Sequence, residues 1–273
     1  MEKIFEYARK NNISDIHIIE GERIYFRKDG EIVAYGDSQS LSREDILKIC
    51  SGKFEEDFAY TDSKNQRYRI NSFFTKGKLA LVIRVINDEA IKLKGEFINK
   101  LIDEQILSLK DGLVLISGIT GSGKSTTLAN IIEKFNENKS IKILTIEDPI
   151  EYIFENKKAL IIQRELGTDV DTFEKALKSS LRQDPDVIVL GEIRDEESLF
   201  SALKLAETGH LVFSTLHTMN AVESINRLIS MTKSDKRDFV REQLASVLRF
   251  VFSQELYRDK KTKEVKVIFE ILN

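Results

Sequence analysis

The spacing of apolar residues changes near residue 88. Before it, apolar and polar residues alternate over short runs separated by turn residues, which is typical of half-buried antiparallel strands. The predicted strands cover residues 14–19, 23–27, 31–35, 58–61, 67–74 and 80–86. The triplet Lys28-Asp29-Gly30 predicts a hairpin turn, and helical spacing predicts short helices over 3–10 and 42–50. Residues 1–88 are therefore expected to form a small antiparallel α+β domain.

A polar segment over residues 88–95 interrupts this pattern, and we place a linker at 89–95. From residue 96 onward, apolar runs of strand length alternate with apolar residues at helical spacing. Strands are predicted over 114–116, 141–146, 187–190 and 211–215, with a final hairpin of 256–258 and 265–271. Helices are predicted around 97–106, 128–135, 173–181, 199–206, 221–229 and 235–255. This alternation predicts an α/β domain over 96–273, with a mainly parallel sheet, helices on both faces and ligands at the carboxyl ends of its strands.

One strand-to-helix junction carries a phosphate-binding pattern. Residues 118–125 read GITGSGKS, which fits the spacing G-x-x-x-x-G-K-S/T. The glycines leave room for backbone N–H groups to surround a polyphosphate, Lys124 supplies a cation and the Ser125 hydroxyl suits a Mg²⁺ ligand. The start of the next helix adds its positive dipole end. The residues expected to contact the nucleotide are Gly118, Thr120, Gly121, Ser122, Gly123, Lys124, Ser125 and Thr126.

Two carboxylates follow apolar strands of this domain. Glu192 comes after the run 186–190 and can reach either the water shell of a metal or the attacking water. Glu147 closes the preceding strand and is the candidate general base, with Pro149 stiffening the turn behind it. From the residues alone, an ordinary surface glutamate and a solvated acidic loop remain the alternatives.

His217 lies just past the strand 211–215, on the side where ligands bind. A neutral imidazole there could hydrogen-bond a γ-phosphate, and a packing role is the equal alternative. Charge that develops during phosphoryl transfer also needs cations. The candidates are Lys124, Arg182 and Arg194 in the second domain and Arg67, Arg69 and Arg84 in the first. On sequence alone, the favoured interpretation of the last three is exposed strand arginines.

Composition narrows the class of protein. The 273 residues carry a formal net charge of −3, which disfavours nucleic acid as the main partner. Cys50 is the single cysteine, which excludes an intrachain disulfide and a cysteine-rich zinc site. The sequence has no secretory leader at Met1 and no apolar stretch near the roughly 18 residues of a membrane span. We therefore expect a cytoplasmic protein without direct membrane insertion.

Ordered segments along nearly the whole chain match one known family. The first domain contributes SDIHI, RKDGEIV, FEEDFAY, RYRINSFF and VIRVI. The second contributes GITGSGKSTTLA, TIEDPIEY, QREL, ALKSSLRQDPDVIVLGEIRD and AETGHLVFSTLHT. Together they resemble the secretion ATPase superfamily and, within it, the type IV pilus retraction ATPases. The first group is similar to the N-terminal, PAS-like domain of that family, and the second to its Walker A segment, Asp box, Walker B region and His box.

The resemblance implies a RecA-like P-loop ATPase core with a smaller N-terminal, PAS-like α+β domain. It implies a homohexamer that binds ATP and Mg²⁺ between the N-terminal domain of one subunit and the RecA-like domain of the next. Glu147, Glu192 and His217 become expected active-site residues, with Ser125 and Glu192 at the metal, and the choice of general base between the two glutamates stays open. Arg69 and Arg84 become the arginines expected to contact nucleotide phosphates.

For function, the resemblance implies an ATPase that drives pilus retraction, in twitching motility or DNA uptake, at the inner face of the cell membrane. Its expected partners are copies of itself, an inner-membrane platform protein and, as a further candidate, an assembly ATPase. The sequence lacks the extra N-terminal domain and four-cysteine motif of assembly-type relatives, which favours retraction, and it lacks the AIRNLIRE-like C-terminal region of the retraction type. Pilus assembly, type II secretion, a DNA-dependent motor and a regulatory paralogue stay open as alternatives.

Overall fold

The computed structural model describes residues 1–28, 30–36, 40–50, 52–64, 66–86, 93, 95–258 and 265–273. The chain divides into two compact units, Met1–Asp88 and Glu89–Asn273. Most of the linker predicted at 89–95 lies outside the described residues, as does Asp29 of the predicted hairpin turn. Each unit is described by itself below.

The first unit combines one antiparallel sheet with two helices. Its elements are α1 (Glu2–Lys10), β1 (Asp15–Ile19), β2 (Tyr25–Lys28), β3 (Glu31–Ala34), α2 (Arg43–Cys50), β4 (Asp57–Thr61), β5 (Arg67–Thr75) and β6 (Lys78–Val85). The strands lie in the order β3-β2-β1-β6-β5-β4, and each neighbouring pair is antiparallel. Alternate strand residues such as Tyr68, Ile70 and Ile83 form a core with Phe5 of α1 and Ile46 of α2.

The second unit is built on a seven-stranded sheet. Its elements are α3 (Glu96–Glu104), β7 (Gly112–Ser117), α4 (Lys124–Asn138), β8 (Lys142–Glu147), β9 (Leu160–Glu165), α5 (Phe173–Ser180), β10 (Val187–Leu190), α6 (Glu196–Glu207), β11 (Leu211–Leu216), α7 (Ala221–Ser230), α8 (Arg237–Val247), β12 (Leu248–Arg258) and β13 (Val265–Leu272). The strand order is β13-β12-β7-β11-β10-β8-β9. Neighbouring strands from β12 to β9 are parallel, and only β13 pairs antiparallel among these strands. The predicted mixed α/β fold is confirmed.

The strands of this sheet are buried on both faces. On β7, Leu113 and Leu115 pack into one apolar cluster, while Val114 and Ile116 pack into the other. Helices α5 to α8 contribute to the first cluster, and α3 and α4 contribute to the second. Since the central strands are parallel, their carboxyl ends meet at one edge of the sheet, where the loop after β7 and the residues after β8, β10 and β11 are brought together.

Three details of the sequence prediction were wrong or incomplete. The helix predicted over 235–255 ends at Val247, and the residues after it form β12, which hydrogen-bonds to β7 on one side and β13 on the other. Strand β9 was not predicted, because LIIQRE combines a short apolar run with charged residues. The helix predicted around 97–106 runs from Glu96 to Glu104, and Ile106–Ser108 form a separate 3-10 turn.

Among the described residues, none of the helices combines the length and the apolar character that a bilayer span requires.

Candidate active site

The phosphate loop lies between the end of β7 at Ser117 and the start of α4 at Lys124. Gly123 caps the helix in the left-handed region, with a φ of 88°. The unpaired N–H groups of the first helical turn therefore face the loop, as an anion-binding site requires.

Gly118 is the tightest point of this loop. Its φ is 151°, and a Cβ added there would lie 2.4 Å from Ser122 Oγ and 2.5 Å from the backbone oxygen of Gln254. Gln254 also donates from Nε2 to the Ser122 oxygen at 2.6 Å, so the end of β12 contacts the loop through both its backbone and its side chain. Residues of β12 thus shape the loop, which the helix predicted over 235–255 did not indicate.

Lys124 is almost fully buried inside the loop, with 8% of its surface exposed. Its Nζ donates to the Gly118 oxygen at 2.7 Å and the Ile119 oxygen at 3.0 Å. Burial lowers the pKa of Lys124, while the carboxylates of Glu192 and Glu151 act in the opposite direction. The loop thus holds a cation where the terminal phosphates of a nucleotide would bind.

A chain of polar contacts connects Lys124 to the ends of three strands. Its Nζ lies 3.4 Å from His217 Nδ1, and His217 Nε2 lies 3.0 Å from Glu192 Oε2. A neutral imidazole with its proton on Nε2 satisfies both contacts. Arg194 pairs with Glu192 and also reaches Asp148, with 3.2 Å between Nη1 and Oδ2. The structure therefore brings Lys124, His217 and Glu192 together, as their positions at strand ends predict.

Glu147 is the last residue of β8. Its Oε1 accepts hydrogen bonds from Thr145 Oγ1 at 2.7 Å and Gln163 Nε2 at 3.3 Å. Burial raises the pKa of the Glu147 carboxyl, and these two hydrogen bonds oppose the rise. Gly191, which precedes Glu192, packs against Glu147, since a Cβ at Gly191 would lie 3.5 Å from Glu147 Cα. A carboxylate with a raised pKa is suited to accept a proton from water.

The second half of the predicted nucleotide contact set lies on the first turn of α4. Ser125 is half-buried, and the Thr126 hydroxyl lies 2.8 Å from the hydroxyl of Tyr152. Ser122 Oγ is buried and has no hydrogen-bond partner among the described residues. The loop therefore has a buried hydroxyl that is unused among the described residues, which is compatible with a polar ligand.

The described residues contain no group of three or more His, Cys, Asp or Glu side chains that could hold a metal ion on their own. Mg²⁺ in nucleotide sites uses one or two protein oxygens together with phosphates and water. The Ser125 hydroxyl and the Glu192 carboxylate fit that donor set.

The predicted arginines of the first unit are neighbours on its sheet. Arg69 on β5 lies directly across from Arg84 on β6, so both side chains start from the same face. Arg84 Nε lies 3.0 Å from Asp15 Oδ1, and Arg69 Nε lies 3.8 Å from Asp57 Oδ1. Both arginines are only partly covered, and Asp15 is buried.

Two other candidates take no part in this cluster. Arg182 is exposed just after α5. His210 precedes β11, at the opposite end from His217, where its Nδ1 lies 3.1 Å from both the Leu205 oxygen and Thr208 Oγ1. These local contacts give His210 a structural role.

Comparison with known proteins finds similar chains along most of this sequence. The family model for type II/IV secretion system proteins matches residues 57–270. The chain is 36% identical to the type IV pilus retraction ATPase PilT of Pseudomonas aeruginosa over 94% of this chain and 77% of that protein. It is 44% identical to a twitching motility protein of Neisseria gonorrhoeae over 80% of this chain and 58% of that protein. A crystal structure of the pilus retraction motor PilT with bound ADP is similar over 99% of this chain and 82% of that chain, with a TM-score of 0.87 and 36% identity.

Proposed function

The chain belongs to the family of type II/IV secretion system proteins, and from this premise we propose that it is an ATP-hydrolysing motor of a type IV pilus system that drives pilus retraction. The retraction ATPase and the twitching motility protein among its relatives support the direction of movement. The observation that carries the proposal is the glycine-bracketed loop whose buried Lys124 connects through His217 to Glu192.

In the proposed reaction, nucleotide phosphates replace the Gly118 and Ile119 oxygens as partners of Lys124. Ser125 and the Glu192 carboxylate would hold Mg²⁺, which would supply positive charge to the phosphate oxygens. Glu147 or Glu192 accepts a proton from the attacking water. The new oxygen–phosphorus bond replaces the one to the leaving ADP, which gives ADP and phosphate.

For the assembly, we propose that the second unit is a RecA-like P-loop domain and the first a PAS-like domain, as the family resemblance implies. The motor is a homohexamer in which Arg69 and Arg84 stabilise phosphate charge in the neighbouring subunit. It acts in the cytoplasm at the inner face of the cell membrane, where it contacts a platform protein. An assembly ATPase is a further candidate partner.

The biochemical test is phosphate release by purified variants. We expect Lys124→Ala and Glu192→Gln to abolish ATP turnover, because one removes the phosphate cation and the other a charge at the metal. Lys134→Ala is the matched control on the same helix, since Lys134 pairs with Asp103 at 2.7 Å, outside the loop. Retained turnover in Lys124→Ala, with a native circular dichroism spectrum in every variant, would contradict the assignment.

The direction of movement needs a cellular test. A strain that lacks the protein should carry excess surface pili if the motor retracts them, and electron microscopy of the cells would count them. Bald cells would favour the alternative of pilus assembly. Turnover that rises with added DNA would favour a DNA-dependent motor instead.

A further inference from the structure

Glu147 does not stand free at the end of its strand. It accepts two side-chain hydrogen bonds, and the one from Gln163 comes from the neighbouring strand β9, which runs parallel to β8. In the strand register, Thr145 pairs with Gln163 and Glu147 with Glu165. Gln163 thus lies two positions before the residue opposite Glu147, on the same face of the sheet.

The Gln163 amide is fixed by three hydrogen bonds. Its Nε2 donates to Glu147 Oε1 at 3.3 Å and to the Tyr152 oxygen at 2.7 Å. Its Oε1 accepts from the backbone N–H of Phe154 at 2.9 Å. Because donors and acceptors are matched at both ends of the amide, its orientation is determined, and it joins Glu147 to the segment that follows it.

Tyr152 extends this connection to the helix after the phosphate loop. Its hydroxyl lies 2.8 Å from the Thr126 hydroxyl, two residues after Lys124. The path runs from α4 through Tyr152 and Gln163 to the carboxylate of Glu147. A path of this kind can fix the distance between the phosphates and the water that is to be deprotonated.

We propose that Gln163 is a positioning residue for ATP hydrolysis, which orients the Glu147 carboxylate and, through Tyr152, sets its place relative to the phosphate loop. The inference rests on the proposed role of Glu147 as a base in the reaction. Gln163 itself touches neither the loop nor the residues proposed to hold Mg²⁺ among its described contacts.

Several charged groups surround Glu147, and a pH profile has to be interpreted with all of them in view. The Glu151 carboxylate raises the pKa of Glu147, and the backbone of Glu151 lowers it by hydrogen bonding. On β9, Glu165 accepts from the Ile150 N–H at 3.1 Å, and Arg164 contacts Ser179 and Asp169. After β10, Arg194 pairs with Asp148 and Glu192. Substitution of Gln163 changes none of these groups.

The first measurement is the pH profile of kcat for Gln163→Met and Gln163→Glu. Both variants lack the amide donor to Glu147, so the pKa of Glu147 rises and the acid limb of the profile moves to higher pH. In Gln163→Glu the two carboxyl groups titrate as a coupled pair, which moves the acid limb further. We expect kcat to fall roughly 10- to 100-fold through misplacement of the carboxylate, while KM for ATP changes by less than about twofold. An acid limb at the wild-type position in both variants overturns the inference.

The matched control is Gln243→Met. Gln243 also donates from Nε2 to a glutamate carboxylate, Glu207 Oε1 at 2.8 Å, but on the helices α8 and α6. It should leave the pH profile at its wild-type position. A shift of the acid limb in this variant as well would overturn the assignment, because any lost glutamine contact would then produce it.

The second measurement is the pH dependence of the free energy of unfolding, which does not depend on ATP turnover. Since the folded-state pKa of Glu147 is raised, its contribution to stability is present below its unfolded pKa and is lost as pH rises through its folded pKa. Gln163→Met raises the folded pKa further, so the stability difference between wild type and this variant widens as pH rises from the folded pKa of the wild type to that of the variant. When Glu147→Gln is present in both proteins, the stability difference should no longer change with pH. Urea unfolding at several pH values measures this difference.

The two measurements separate the possible failures. A wild-type protein without ATPase activity, but with a pH-dependent stability difference that requires Glu147, would refute the proposed function and leave the contact between Gln163 and Glu147 established. An active protein whose stability difference is the same at every pH would refute the role of Gln163 alone.

Discussion

One added carbon at Gly118 would enter space that the loop and β12 already fill. A φ of 151° is also unfavourable for any residue with a side chain. Both the backbone conformation and the lack of space therefore favour glycine at this position. The same carbon at Gly209, which also has a positive φ of 92°, would meet no atom within 4 Å. An alanine at either position strains the backbone, but only an alanine at Gly118 also clashes with other atoms. Comparing the two variants therefore distinguishes the cost of strain from the cost of the clash.

We expect Gly118→Ala to displace the loop, to abolish ATP binding and to lower the free energy of unfolding by roughly 2–3 kcal/mol. Gly209→Ala should cost about 1 kcal/mol and leave binding unchanged. Isothermal titration with ATP and urea unfolding of both variants measure the two effects. Wild-type affinity in Gly118→Ala would show that the tight approach to Gln254 is not required.

A buried carboxylate stabilises the first unit. Asp62 pairs with Arg9, accepts from the Tyr68 hydroxyl at 3.0 Å and accepts from the backbone of Lys64 and Gln66 at 2.9 and 3.0 Å. Burial alone would raise the pKa of Asp62, but these hydrogen bonds outweigh it and lower the pKa. Its stabilising effect is therefore present above the unfolded pKa and is lost as pH falls through the folded pKa.

We expect Asp62→Asn to lower the free energy of unfolding by roughly 3 kcal/mol at neutral pH, because Arg9 loses its partner. The difference from wild type should shrink on acidification, and chemical unfolding between pH 7 and strongly acidic pH measures it. Glu22→Gln is the control, since Glu22 pairs with Lys78 at the surface and should have little effect. A difference that does not depend on pH would contradict this account.

At the residue scale, the sequence predicts the charged and polar side chains that follow the strands of the second unit. It does not predict the residues that hydrogen-bond to these side chains and fix their positions. Lys124, His217 and Glu192 could be predicted because loop spacing and strand order determine where they lie. The contact between Gln254 and Ser122 spans 132 positions, and Gln163 reaches Glu147 from a strand that was not predicted. Such pairings depend on strand register, which local patterns do not determine.

At the scale of elements, the end of α8 shows how a local pattern can mislead. Leu244, Val247, Leu248 and Val251 recur at helical spacing, so the helix was predicted to continue. The residues from Leu248 instead fill the place beside β7, where a strand can hydrogen-bond on both sides. Tertiary pairing outweighed the local preference. By contrast, α4 and α6 bury the residues that their spacing predicts.

A substitution within β12 tests its importance for the second unit. Phe252 is fully buried and stacks against Phe250, with ring centroids 5.7 Å apart. We expect Phe252→Ala to cost roughly 3–5 kcal/mol, because it leaves a cavity beside β7. Phe269→Ala on the edge strand β13 should cost less, since Phe269 is only partly buried. Equal costs in thermal unfolding would argue against a central position of β12.

At the scale of the whole molecule, the proposed shared site combines arginines from the first unit of one subunit with the phosphate loop from the second unit of a neighbouring subunit. Each unit has its own apolar core. Arg69 is the better of the two arginines for a functional test, because its partner Asp57 is exposed at 3.8 Å. Removal of Arg84 would leave the buried Asp15 unpaired and would disturb folding as well as function.

We expect Arg69→Ala and Glu192→Gln to be inactive alone and to regain ATPase activity when mixed and reassembled. In a mixed ring, some interfaces combine the intact arginine of one subunit with the intact glutamate of its neighbour. Light scattering should give the mass of six 31.4 kDa chains. A monomer at every nucleotide concentration, or mixtures without activity, would contradict a shared site.

Along the polar chain from Lys124 to Asp148, the charges of Lys124 and Arg194 are balanced by the carboxylates of Glu192 and Asp148. An incoming anion must compete with two carbonyl oxygens and an imidazole for the same ammonium. A single phosphate offers few contacts in exchange, whereas a triphosphate spans the loop and the start of the helix. We therefore expect the loop to bind a triphosphate more tightly than a single phosphate.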